Sequence, residues 1–197
     1  MMCGPSKSNA PLSRKRGNTD LGKRKRLVTQ LSLYLGVMML ASNFSTTSQA
    51  TRSLAAPVVL QLTVEEQRFV ELVNSERWWR ELNQLELDPT LVEASRRHSK
   101  EMREKGYFDH LSPTPGLRKP MDRYLAALGH RPSWAYLGEN LCYCTIPDVN
   151  RGHESLMESP EHKANILNPT FNRVGVGAYT NERGEFWVTE MFLAKVD

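Results

Sequence analysis

The stretch Phe186-Trp187-Val188-Thr189-Glu190-Met191-Phe192-Leu193 constrains the fold more than any other part of the chain. Written as a strand, it sets Phe186, Val188 and Phe192 on one face and Trp187, Met191 and Leu193 on the other. A strand that is apolar on both faces is covered on both. A four-residue turn, Asn181 to Gly184, joins it to Val174-Gly175-Val176-Gly177-Ala178, where apolar residues alternate with glycine. Helical patterns dominate the chain before this hairpin. Helices first and a hairpin last imply an α+β class, with helices layered on a sheet.

The helices announce themselves by their ends. Thr63 with Glu66 three residues on is a capping-box arrangement, followed by Phe69, Leu72 and Val73 on one face, which predicts a helix to about Leu82. Asp88-Pro89 opens a second, with Leu91, Ala94, His98 and Met102 on one stripe and Gly106 just past its end. A loop rich in turn formers runs from Tyr107 to Lys119. A third helix carries Met121, Tyr124, Leu125 and Leu128 and stops at Gly129. Leu137 to Cys144 reads as a strand or an irregular segment. Asp148 caps a fourth helix, with Val149, Leu156 and Met157 inward, and residues Pro160 to Leu167 add another turn or two.

Charge separates the chain into two parts. The protein has 26 Lys and Arg against 22 Asp and Glu, but eight of those cations and only one acid, Asp20, lie in residues 1–50. Residues 51–197 therefore hold 18 basic and 21 acidic side chains, and a basic surface for nucleic acid is excluded. Residues 1–50 read as an export signal: a basic region to Arg26, an apolar stretch from Leu27 to Ala41, and Ser48-Gln49-Ala50 as a small-x-small cleavage site. Cleavage is the favoured outcome, with retention of residues 27–41 as a membrane anchor the alternative; the stretch is short of the roughly 20 residues of a span. Either outcome places the body outside the cytoplasm. Residues 51–62 read as a linker and 63–197 as one domain.

The five histidines are not equivalent. His98 and His153 lie on apolar helix faces and read as core residues, and His130 follows a helix end. His110, before a Pro/Gly-rich turn, and His162, at the start of a short helix, are loop-type positions suited to a ligand or metal. Glu139, between Gly138 and Asn140, is the acid that joins them as a candidate. Of the three cysteines, Cys3 lies in the leader. Cys142 and Cys144 are too close in sequence for an easy disulfide, form a poor zinc spacing, and read as buried small hydrophobes. Trp78 and Trp79 are expected to split, one facing the core and one partly exposed. For Trp134, core packing is the commoner role and the wall of a cleft or a partner surface the alternative.

Four motifs stand in a fixed order: Phe108-Asp109-His110-x-Ser112-Pro113, Gly138-Glu139-Asn140, Leu156-Met157-x-Ser159-Pro160-x-His162-x-x-Asn165-Ile166-Leu167, and Val174-Gly175-Val176-Gly177. Together with Leu72-Val73-Asn74-x-x-Arg77 they resemble the bacterial CAP/SCP superfamily, that of cysteine-rich secretory proteins, antigen 5 and pathogenesis-related 1 proteins. The resemblance covers roughly Thr63 to Ala194. It implies an αβα sandwich, with helices packed on a small central antiparallel sheet, and a cleft with two histidines and two acids. His110, Glu139 and His162 fall on three of those four positions. Ser159 stands about where the fourth acid belongs, with Glu154, Glu158 and Glu161 near it, and Leu156 stands where many relatives have Trp.

Two neutral imidazoles and a carboxylate can hold Zn²⁺ with water as a further ligand, or act as an acid/base set. No Gly-x-Ser-x-Gly elbow marks a nucleophile, although Ser112 and Ser159 lie near the histidines in sequence. Three functions follow: a secreted module binding a divalent metal and an extracellular or cell-envelope partner, a structural domain with a vestigial cleft, and a metal-assisted hydrolase. The first is favoured, and whether the chain is an enzyme is left open by these residues.

Overall fold

The computed structural model describes residues 2–3 and 60–195, so the leader and most of the linker, except Met2 and Cys3, lie outside the described residues. In chain order the elements are β1 (Met2–Cys3), α1 (Val64–Trp78), β2 (Glu86–Leu87), α2 (Pro89–Lys105), α3 (Pro120–Leu128), β3 (Tyr136–Cys144), α4 (Val149–Glu158), α5 (Pro160–Ile166), β4 (Arg173–Thr180) and β5 (Phe186–Ala194).

The sheet order is β1-β3-β5-β4-β2. Its centre, β3-β5-β4, is antiparallel as expected, with Glu139 opposite Met191 and Gly175 opposite Met191 on the other side. The two-residue edges differ from expectation: β1 pairs parallel with β3, and β2 parallel with β4, so the whole sheet is mixed. Met2 and Cys3, which the export reading would remove with the leader, thus pair with Tyr143 and Cys144.

Every residue of β5 is buried, and its two faces feed two cores. Phe186, Val188 and Phe192 pack with Phe69 and Val73 of α1, Leu156 of α4 and Ile166 of α5. Met191 and Leu193 pack with Leu91 and Ala94 of α2 and Tyr124 of α3. This is the αβα sandwich. On the second face α2 sits almost on the backbone of β4. A Cβ at Gly177 would collide with the backbone of Ser95 and Arg96, and the Ser99 hydroxyl donates to the Gly177 carbonyl at 2.8 Å. The glycines that alternate in β4 are there for this close approach.

The first helix keeps its expected start. The Thr63 side chain accepts from the Glu66 amide, and the Thr63 amide donates to Glu66 Oε2 at 2.9 Å. Glu66 then does more than cap, because it is fully buried and also accepts from Arg96 of α2 at 2.5 Å and from the Ala178 amide of β4 at 3.2 Å. The helix ends at Trp78, four residues before the expected Leu82. The chain turns there through Glu81 at φ 58°, with the Glu81 amide donating to the Trp78 carbonyl. Both Trp78 and Trp79 are exposed, so neither enters the core as one was expected to. Arg77 takes the inward position instead, fully buried and donating to the carbonyls of Asn83, Ile166, Asn168 and Phe171. Trp134 is also half-exposed, against the core role expected of it.

Candidate functional site

β3 positions the site. Residues Tyr136 to Asn140 pair only with β5, so that end of β3 is a sheet edge, and side chains from either face meet around it. Glu139 comes from the β3 face covered by α2 and α3, and Asn140 from the face covered by α5.

The loop after α2 brings His110 to Glu139, and it is tied down from below. Glu101 in the last turns of α2 accepts from the Tyr107 hydroxyl at 2.7 Å, the Ser112 hydroxyl at 2.8 Å, Lys105 at 2.8 Å and the Thr114 hydroxyl. Burial works to raise the Glu101 pKa, but these donors outweigh it and hold the carboxyl at about 2. His98 adds a second tie. It is fully buried, and its Nε2–H donates to the Asp109 carbonyl at 3.1 Å, one residue before His110. His98 is thus the satisfied core histidine that its stripe implied, and burial depresses its pKa.

His110 and Glu139 are joined directly, Nδ1 to Oε1, at 2.8 Å. A carboxylate only accepts, so Nδ1 carries a proton, and in the neutral ring Nε2 is the nitrogen that keeps its lone pair. The His110 side chain is 47 % exposed while Glu139 is 2 % exposed, so a buried acid orients an open imidazole. The other Glu139 oxygen is also occupied: Arg123 Nη2 donates to Oε2 at 2.6 Å. Arg123 further donates through Nη1 to the carbonyls of His110, Leu117 and Arg118, which closes the loop against α3. The sequence reading missed Arg123, since a charged residue beside Tyr124 reads as a solvated helix face, yet it is buried.

His162 approaches from α5. Its Nδ1 meets the Ser159 hydroxyl at 2.7 Å, so the position of the expected fourth acid is filled by a serine, while Glu154, Glu158 and Glu161 are exposed. Asn140 donates to the His162 carbonyl and to Glu190, both at 3.1 Å, and Asn165 donates to Asn140 Oδ1 at 2.9 Å and to the Glu139 carbonyl at 3.2 Å. These amides stitch α5 to the edge of β3. Burial lowers the His162 pKa.

The remaining sequence candidates stay outside this cluster. His153 is buried against Glu76 at 4.0 Å with neither ring nitrogen hydrogen-bonded, and exposed His130 contacts the Leu128 carbonyl at the end of α3. Cys142 and Cys144 are both buried in the larger core, with their sulfurs 3.7 Å apart, too far for a bond to each other. Cys142 is a free thiol, as expected, whereas Cys144 is disulfide-bonded and not the plain small hydrophobe its position implied. Burial pushes the Cys142 thiol up to about 12, the behaviour of a buried structural cysteine. Among the described residues no group of three or more His, Cys, Asp or Glu is arranged to hold a metal ion, and no helix is long and apolar enough to cross a membrane.

Comparison with known proteins agrees with this architecture. The model of the cysteine-rich secretory protein family (CAP) matches residues 70–192. The chain is 36 % identical over 157 residues to the uncharacterized protein YkwD of Bacillus subtilis, covering 79 % of this chain and 54 % of that one. It is 32 % identical to the uncharacterized membrane protein YlbC of the same organism, over 58 % of this chain and 32 % of that one. It therefore spans about half the length of the first relative and a third of the second. Among solved structures, an extracellular protein containing an SCP domain from Bacillus anthracis superposes with a TM-score of 0.56 at 28 % identity, over 70 % of this chain and 45 % of that chain. An outer surface protein of Borrelia burgdorferi shares the fold, with a TM-score of 0.60 at 18 % identity over 70 % of this chain and 97 % of that chain. With five ordered motifs on one αβα frame and the family model matching more than half of its length, the chain belongs to the cysteine-rich secretory protein (CAP) family.

Proposed function

We propose that this chain is an exported CAP module that binds an extracellular or cell-envelope ligand in the cleft between His110 and His162. One observation carries the reading: a buried carboxylate, Glu139, holds Nδ1 of the half-exposed His110 imidazole, which makes Nε2 the lone-pair nitrogen of the neutral ring. A group buried to hold a solvent-facing lone pair in place is the arrangement of a pre-organised binding site. The relation to an extracellular SCP-domain protein and the export-type leader support a position outside the cytoplasm.

Zn²⁺ is the metal that this donor set would take. His110 and His162 would hold it and Glu139 would act behind His110, since both of its oxygens are occupied. Two protein ligands make a weaker and more open site than the three of a catalytic zinc. The ion would polarise a bound carbonyl or water there. Hydrolysis is the second reading, favoured by the 2.7 Å contact of the Ser159 hydroxyl with His162. The imidazole that touches the serine is not the one that Glu139 orients, and this ranks it below binding.

Calorimetric titration of the full chain with Zn²⁺, beside a His110→Ala/His162→Ala variant, tests the metal. Saturable binding that the variant loses supports it. Two folded proteins that bind none remove the metal and leave a partner-binding or structural module.

A further inference from the structure

The end of α1 carries two tryptophans outside the His110 cluster that the fold leaves in water. Trp78 is 59 % and Trp79 73 % exposed, with ring centroids 4.8 Å apart in a T-shaped pair. The inward positions of this helix are taken by Phe69, Val73 and Arg77, and Arg77 is held by four carbonyls. Trp78 and Trp79 therefore face outward as a consequence of how α1 is anchored. Glu81, left-handed at φ 58° without being glycine, folds the following turn back beside the rings. The result is a surface hollow of about 480 Å³ lined by Trp78, Trp79, Glu81, Leu82 and Asn83. A second hollow of about 510 Å³, with Gln67, Glu71 and Gln84 in its wall, shares Trp78 with the first. Trp78 thus stands as a ridge between two hollows, each edged by a carboxylate and a carboxamide.

Charge selects the occupant. The cations of this surface are already paired, Arg80 with Glu76 at 2.5 Å and Arg68 with Glu71 at 3.4 Å, and Glu81 adds a further negative charge. Anionic polymers and anionic lipid surfaces are attracted to clustered, available Lys and Arg, and among the described residues this surface has no such cluster. A neutral sugar chain fits both features. Its C–H faces stack on aromatic rings that have an apolar body, and its hydroxyls bond to carboxylates and amides. We propose that Trp78 and Trp79 form a platform for a neutral oligosaccharide, so that the module carries a glycan contact in addition to its cleft.

The test is a fluorescence and calorimetric titration of the full chain with N-acetylglucosamine hexamer, cellohexaose and maltohexaose. Trp78→Ala/Trp79→Ala, Trp134→Ala and His110→Ala variants run beside it, with neutral and anionic phospholipid vesicles as further probes. The expected result is saturable binding of at least one oligomer, weakened tenfold or more in the Trp78/Trp79 variant and kept by the other two. Because both rings are exposed, that variant keeps the wild-type melting temperature. Absence of binding to all three oligomers, binding that survives loss of both rings, or vesicles in place of sugars as the ligand of the pair would each overturn the proposal. Retention in the His110→Ala variant separates its outcome from that of the cleft.

Discussion

Glu139 and Arg123 form an ion pair with almost no water around it: Nη2 donates to Oε2 at 2.6 Å, and the side chains are 2 % and 3 % exposed respectively. Such a pair is costly to break from one side, because the Glu139 carboxylate stays buried with Oε2 unpaired and only His110 as a partner. Arg123→Met should therefore lower stability by about 3–5 kcal/mol. Arg123→Met/Glu139→Leu should recover part of that loss. Urea unfolding of the two variants checks this, and a double variant no more stable than the single one contradicts it.

Glu190 sits beneath the same edge, completely buried, bonded through Oε2 to Asn140, with no partner on Oε1. Burial raises its pKa to about 7 from 4.5, against the smaller opposing effect of the Asn140 bond. The folded chain holds this proton more tightly than the unfolded one. Its contribution is complete below about pH 4.5, falls as the pH rises to about 7, and stays low above that. Glu190→Gln should remove this slope and stabilise the protein at neutral pH by on the order of 3 kcal/mol. The difference between wild-type and variant melting curves from pH 4 to 8 isolates the effect, and a flat difference excludes it.

His153 gives the opposite sign. Its pKa is depressed by burial, so its contribution is present above the unfolded value of about 6.5 and is lost on acidification. Both ring nitrogens lack a hydrogen-bond partner, so His153→Phe should match or exceed wild-type stability at neutral pH and gain on it at pH 5. Melting temperatures at the two pH values decide the matter. A variant that loses stability at both would show that the imidazole is satisfied after all.

Gly177 has the tightest surroundings of the described glycines. A Cβ there would run into the α2 backbone at Ser95 and Arg96, which cannot rotate away as a flexible side chain can. Gly177→Ala should push α2 off β4, disturbing the buried bonds of Ser99 to the Gly177 carbonyl and to Thr189. Loss of soluble folded protein, or destabilisation beyond the ordinary range of roughly 0.5–3 kcal/mol for single substitutions, is the expected outcome in expression and circular dichroism. Near-wild-type stability would contradict the close approach.

Much of this was legible in the chain because the signals were local. Thr63 with Glu66, Asp88 with Pro89, and Gly106 and Gly129 as left-handed caps fall where their patterns put them. The doubly apolar β5 announced the two-sided sheet. His110 and Glu139 were named from family motifs, and the structure brings them into contact. The roles of Arg123, Arg77 and Glu190 were not readable, because a charged residue on a helix or strand reads as a solvated one. Only tertiary contacts far apart in sequence supply the carbonyls and carboxylates that let these groups be buried. Trp78 and Trp79 misled for the converse reason: large aromatics usually pack inside, and here Arg77 has the inward place.

Glu139 sets the state of the His110 ring, and the tautomer of that imidazole reads this out directly. Long-range ¹H–¹⁵N correlation of the imidazole nitrogens at mildly alkaline pH, in wild type and Glu139→Gln, reads it without any ligand. A protonated Nδ1 and a bare Nε2 are expected at the neutral His110 ring of the wild type, with that preference lost or reversed in Glu139→Gln. A His110 protonated on Nε2 in the wild type, or one unchanged by the substitution, would contradict it.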